Sequence, residues 1–153
     1  MRSARRCAAR RFNQGWATVE YTASALVDLK LHLDPSPVEV DVVAFERSEL
    51  KRIGMPEAIA MRHRTPHFQH IFSGGYSAAY YSYLWSEVLD ADGFEAFEES
   101  GDIFDPAVAT RLNDFVYAAG GSRDYDEAYR AFRGRSPSPE ALFRKRGLEL
   151  GTG

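Results

Sequence analysis

Apolar residues recur at helical spacing along most of the chain. Phe12, Trp16, Val19, Ala23 and Leu26 keep i, i+4, i+7, i+11, i+14 spacing, which predicts an amphipathic helix of about five turns ending near Leu33. Asp34, Pro35, Ser36 and Pro37 stop it. Ser36 is placed to cap a second helix with Pro37 at its first position; Val42, Val43, Leu50 and Ile53 lie on one side, and Gly54 ends it. Pro56 starts a short third. The segment from Arg62 to Gly75 carries no helical stripe, holds three of the four histidines and ends in Ser-Gly-Gly, so it reads as an irregular loop. A helix rich in aromatic residues follows. If it begins near Tyr76, then Tyr76, Tyr80, Tyr83 and Glu87 share one face while Tyr81, Trp85 and Val88 share another. Both faces then need cover, and the phenols need polar partners.

Further on, Asp105 and Pro106 form a cap and first turn for a helix that aligns Val108, Leu112, Phe115 and Ala119 and closes at Gly120 and Gly121. Another helix puts Tyr125, Ala128, Tyr129 and Phe132 on its face, with Gly134 beyond it. Ser136 to Pro139 is a stiff, hinge-like joint before a last helix reaching about Lys145. Asp90, Asp92, Glu95, Glu98 and Glu99 form an acidic run expected on an exposed helix face. Nothing alternates at period two and no internal repeat occurs. The fold class is all-α.

Composition narrows the function classes. At 153 residues the chain is one domain or one piece of a domain, and its net charge of -3 carries no nucleic-acid bias. The basic cluster Arg2, Arg5, Arg6, Arg10 and Arg11 lacks interleaved aromatics and reads as a solvated end. Cys7 is alone, so an internal disulfide or a thiolate zinc site is impossible, and a reducing compartment fits. No apolar run approaches the roughly 20 residues of a membrane span, and no signal-peptide core follows the arginines. The expectation is a cytoplasmic chain without nucleic-acid or membrane partners.

Candidate chemistry converges on His70 to Tyr83. His67 and His70, three apart, can share a metal if locally helical, or can satisfy polar groups beneath the loop. His70 has a further option, donating a hydrogen bond to a substrate beside the flexible Gly74 and Gly75. On a continuous helix Tyr76 and Tyr83 stand about 10 Å apart at roughly 1.5 Å per residue, which spans about three residues of extended peptide. Two phenols aimed into a groove can donate to peptide carbonyls or to the oxyanion formed when one is attacked; they can equally be core residues. Other hydrolytic schemes are missing: the sequence has no G-x-S-x-G elbow, no Walker loop and no H-E-x-x-H.

The segments FNQGWATVEY (12–21), MRHRTPHFQHIFSGGY (61–76), YYSYLWSEVLDAD (80–92) and GGSRDYDEAYRAFRGR (120–135), with LFRKRGL near the end, resemble the C-terminal part of the thimet-oligopeptidase and peptidyl-dipeptidase family of zinc metallopeptidases. The resemblance is nearest the bacterial peptidyl-dipeptidase branch. It covers residues 8–148 as the C-terminal part of a catalytic domain, leaving 1–7 as a divergent basic start and 149–153 as a tail. It implies an almost wholly helical fold split by a deep channel, in which a zinc-bound water attacks a peptide carbonyl with a glutamate as general base. By the same resemblance His70, Tyr76 and Tyr83 bind substrate and stabilise the oxyanion; Gly74 and Gly75 beside them, and Tyr80 on the shared tyrosine face, are expected to complete the substrate-binding wall. The loop from Ser73 to Gly75 is implied to move as substrate binds.

The family's zinc ligands precede the matching region and are not in this chain. The reading is therefore a substrate-binding portion for oligopeptides, carrying no metal itself, inactive alone and dependent on an N-terminal catalytic portion that holds the zinc. Its rivals are a non-catalytic helical peptide-binding module and an inactive gene fragment.

Overall fold

The computed structural model describes residues 11–33 and 39–148. Among these the regular elements are all helical. The contacts divide the chain into two compact units, residues 1–84 and 85–153, and the division falls within one long helix. The Ser136 to Pro139 joint lies inside the second unit.

In the first unit, α1 runs Gln14–Leu33 and α2 runs Val42–Arg52. The start of α2 is capped by Asp41, whose carboxylate accepts from the Val43 and Ala44 amides at 3.0 Å each, an arrangement that stabilises a helix by about 1 kcal/mol. Ser36 and Pro37, expected as the cap pair, lie outside the described residues. Gly54 ends this helix at φ 71°, as its position predicts. The expected third helix at Pro56 does not form; the residues there make only a turn, with the Ile59 amide donating to the Pro56 carbonyl.

Each helix buries its expected apolar face only in part. Along α1 the buried residues are Ala23, Ser24, Ala25, Val27 and Asp28, while Trp16 remains 49% exposed and Phe12, just ahead of the helix, 77%. On α2 the buried pair is Glu46 and Glu49, and Val43 faces outward. Polar bonding accounts for the two buried acids of α2, because each has donors waiting. Glu46 accepts from the Thr65 amide at 2.8 Å and the Thr65 hydroxyl at 2.9 Å and pairs with Arg64, while Glu49 pairs with Arg52. The hydrogen bonds and cations offset the desolvation penalty that an unpaired buried carboxylate would bear alone. Among the described residues an apolar cluster of this unit is Ala25, Phe68, Ile71 and Tyr80, with Tyr21 and Leu31 against it; Ala23, Val27 and Met61 are buried as well.

The second unit begins within α3, Ser82–Ser100, and continues through α4, Pro106–Leu112, α5, Tyr125–Arg133, and α6, Glu140–Arg146. Asp105 caps α4 as expected, accepting from Ala107 and Val108, with Pro106 in the first turn. After Leu112 the helix widens into one π turn, Asn113–Tyr117, closed by the Ala118 amide on the Asn113 carbonyl at 2.7 Å. Asp124 caps α5, and Gly134 stops it at φ 79°. The core here is Ala96, Val108, Tyr129 and Phe132, with Leu89, Phe97, Leu112, Phe115 and Val116 partly buried against it. Burying a side chain such as Phe132 stabilises the fold by roughly 1.5–3 kcal/mol.

The acidic run does not form a uniformly exposed face. Asp92 is fully buried and accepts from the Tyr129 hydroxyl at 2.6 Å, with Arg133 at 3.4 Å and Arg135 at 2.5 Å. Arg133 continues the network to Glu99, a bidentate pair at 2.7 and 2.8 Å. Burial, then the Asp92 carboxylate, holds the Tyr129 phenol far above its ordinary range. Because an unfolded tyrosine loses its proton near 10, the unfolded state binds fewer protons than the folded state above that pH, and stability falls as pH rises. Urea titrations should therefore show a midpoint that declines above about pH 10, and Tyr129→Phe should remove that part of the slope while lowering stability at neutral pH. An unchanged alkaline slope in the variant contradicts the assignment.

Candidate functional site

The candidate site is built on the loop before α3, whose shape is set from α1. Two single turns of 3-10 helix, Thr65–His67 and Gln69–Ile71, carry the histidine segment. Phe68 and Ile71 point inward and are almost fully buried, so the residues between them, Gln69 and His70, are turned to the exterior. The loop from Phe72 to Tyr76 is closed at its base by two bonds: the Ser73 amide donates to the Gln69 carbonyl at 2.9 Å, and the Ser77 hydroxyl to the Ile71 carbonyl at 2.7 Å. Gly74 and Gly75 have φ of 93° and 82° with nothing near an added Cβ, so glycine is required there for backbone conformation and not for space.

The tyrosine segment corrects the sequence expectation. The helix does not begin near Tyr76; it begins at Ser82, and residues 77–81 form turns. Across this turn the fully buried Asp28 carboxylate accepts from the Ala78 amide at 3.0 Å and the Tyr80 amide at 3.0 Å. Ala78 sits at φ 58°, a left-handed conformation costing a non-glycine residue about 1–2 kcal/mol.

The consequence is a different geometry for the two phenols. Instead of standing a helix length apart, the Tyr76 and Tyr83 rings stack at 5.4 Å between centroids with an interplanar angle of 18°. They therefore cannot straddle three peptide residues. Hydrogen bonding to Tyr76 raises the Tyr83 phenol above its ordinary value, so its proton stays on at neutral pH. Each phenol has a single proton, so the two O–H groups can both donate to one oxygen, as an oxyanion needs, once the bond between them opens. Tyr83 is 40% exposed and Tyr76 half-buried, so the pair reaches solvent.

Around the pair, the His70 ring lies 6.1 Å from Tyr76 and 5.9 Å from Tyr80, edge to face in both cases. Its histidine neighbour is His63, at 6.1 Å between centroids. Tyr80 is brought beneath the pair. Its ring is buried, stacked on Tyr21 at 5.1 Å, edge-on to Phe68 at 4.7 Å and to Tyr83 at 5.5 Å. The Tyr21 hydroxyl donates to the Tyr80 carbonyl at 2.6 Å, and Arg62 lies over the Tyr21 ring at 5.7 Å. His70, Gly74, Gly75, Tyr76 and Tyr83 thus share one neighbourhood, supported from below by Tyr80. His67 lies at the end of the first 3-10 turn, exposed. Among the described residues no group of three or more His, Cys, Asp or Glu is placed to hold a metal ion, so the side chains described here do not fit a zinc site.

Sequence reasoning missed Asp28, Tyr21, Ser77 and His63. Asp28 did leave a signal, since it is the one charge within the otherwise apolar run Ala25 to Leu29.

Residues 3–148 match the model of peptidase family M3. A dipeptidyl carboxypeptidase of Salmonella typhimurium is 37% identical over 141 residues, covering 90% of this chain and 20% of the relative. A probable cytosolic oligopeptidase A of Arabidopsis thaliana is 40% identical over 146 residues, 92% of this chain and 21% of the relative. Oligopeptidase A of Haemophilus influenzae is 50% identical over a shorter stretch of 86 residues, 56% of this chain and 12% of the relative. The chain spans about a fifth of the length of the first two of these relatives. No helix among the described residues is long and apolar enough to cross a membrane. On the family match and these identities, the chain belongs to peptidase family M3.

Proposed function

We propose that this chain is the peptide-gripping and oxyanion-binding portion of a zinc-dependent peptidase acting on oligopeptides. The observation that carries the reading is the stacked, solvent-reaching Tyr76 and Tyr83 pair with His70 at its edge. In this reading His70 donates to a substrate carbonyl, the glycine loop approaches the peptide backbone, and the two phenols stabilise the negative charge on the attacked carbonyl oxygen. The relatives named dipeptidyl carboxypeptidase and oligopeptidase A support peptide hydrolysis as the chemistry.

Zinc and the general base belong to a further portion of the enzyme, because neither the H-E-x-x-H motif nor a converging donor set is found on the residues described. Exposed Trp16, Val19 and Leu26 on α1 support such a partner, since an apolar stripe of this kind is ordinarily covered. Alone the chain is inactive. A cytoplasmic setting belongs to the same proposal, supported by the cytosolic Arabidopsis relative.

Binding can be separated from catalysis. Calorimetry of the isolated chain with an oligopeptide should show weak, saturable affinity that falls severalfold in His70→Ala and in Tyr76→Ala and does not respond to a chelator. A loss of about 1 kcal/mol per removed hydrogen bond sets that scale. Absence of heat at any peptide concentration contradicts the proposal and favours an inactive fragment.

A further inference from the structure

We propose that Asp28 is the positioning residue of the tyrosine pair: its buried carboxylate sets the turn through Ala78 and Tyr80 that folds Tyr76 back onto Tyr83, and the alignment of both hydroxyls on one substrate oxygen depends on it. The catalytic meaning of this inference rests on the peptide-binding reading above, whereas the positioning itself does not.

Three observations carry it. Asp28 lies on α1, fully buried, yet its two oxygens are assigned to backbone amides 50 and 52 residues away: Oδ1 to Ala78 and Oδ2 to Tyr80, each at 3.0 Å. His32 Nδ1 lies 2.9 Å from Oδ1 and closes the remaining side, so the carboxylate is held in one orientation. Second, the residue it grips is the strained one, Ala78 at φ 58°. A carboxylate spanning the amides on both sides of Ala79 favours the turn over the helix that the sequence pattern would otherwise permit. Third, the turn determines ring placement, since the Ala79 amide donates to the Tyr76 carbonyl at 2.9 Å and Ser82 to Ala79 at 3.0 Å, whereas a helix would carry Tyr76 well away from Tyr83. Asp28 touches neither phenol, so it acts through the backbone alone.

The test is an NMR titration of the full chain, isotope-labelled at tyrosine Cζ, with no peptide present. In wild type Tyr83 ionises above the ordinary tyrosine value because Tyr76 lies against it, and Tyr129 in the second unit does so because of burial and Asp92. Asp28→Asn replaces one acceptor oxygen with an amide that points its own hydrogens at a donor. Tyr83 should then move back toward the ordinary value while Tyr129 stays raised. Adding Ala78→Gly, which adopts positive φ without strain, should restore part of the Tyr83 shift. A purely structural role for Asp28 predicts no such rescue. An unchanged Tyr83 in Asp28→Asn overturns the inference. If both tyrosines normalise because the chain unfolds, Ala78→Val decides, since it opposes the turn with Asp28 intact: it must shift Tyr83 alone, and an unmoved Tyr83 there overturns the inference as well. Failure of the peptide-binding reading would be seen separately, as absent peptide heat with this titration unaffected.

Discussion

Tyr83→Phe is expected to depress peptide cleavage by about 10²-fold or more, in a preparation where this chain works together with the zinc-bearing portion of the enzyme. In the proposed function the phenol is one of two donors to the developing oxyanion, and removing one such donor ordinarily costs about 10²- to 10³-fold, or roughly 2.7–4 kcal/mol of barrier. Because the charge exists only in the transition state, the loss should fall on kcat with KM little changed. Tyr83 is partly exposed and stacks on Tyr76 through its ring, so phenylalanine keeps the packing and the thermal midpoint should stay within about 1–2 °C of wild type. Tyr76→Phe should act in the same direction, and the double variant should lose less than the product of the two, as groups acting as a unit do. A KM effect with normal kcat would reassign the pair to ground-state binding.

The largest effect on stability is expected at Asp92. Asp92→Ala leaves the Tyr129 hydroxyl without its carboxylate acceptor and removes the buried partner of Arg133 and Arg135. Arg133 is itself nearly buried, and breaking one side of a buried ion pair costs about 3–5 kcal/mol. Part is recovered because Glu99 still holds Arg133 through two bonds, so the lower end of that range is expected. Denaturant unfolding monitored at the second unit should show a lower midpoint with the slope retained. Asp92→Asn keeps an acceptor for Tyr129 and should fall between the two. A midpoint unchanged in Asp92→Ala would mean that the network is solvated and contributes nothing.

Local chain chemistry made much of this fold legible. Asp105 before Pro106, and Gly134 after a face of Ala128, Tyr129 and Phe132, mark helix ends through capping and left-handed stops, which depend only on neighbours. Buried charge is where the reading failed. Asp92 read as surface within its acidic run, and Asp28, Glu46 and Glu49 went unremarked, yet all four are buried with partners from elsewhere in the chain or from the next helical turn. No periodicity encodes such a partner. The spacing of Tyr76, Tyr80 and Tyr83 fits a helix, but the chain turns through residues 77–81, with the Ala78 and Tyr80 amides on a carboxylate some 50 residues earlier, and α3 starts only at Ser82. His70, Tyr76 and Tyr83 could be named as candidates from sequence, whereas the stacking of Tyr76 on Tyr83 could not.

The account stands on the claim that the phenols of Tyr76 and Tyr83 face a bound peptide. The most direct measurement is a titration of the tyrosine-labelled chain with an oligopeptide, following each Cζ resonance. Saturable shifts at Tyr76 and Tyr83, with Tyr125 and Tyr129 unmoved, are predicted. Shifts confined to other tyrosines, or none at saturating peptide, would contradict it.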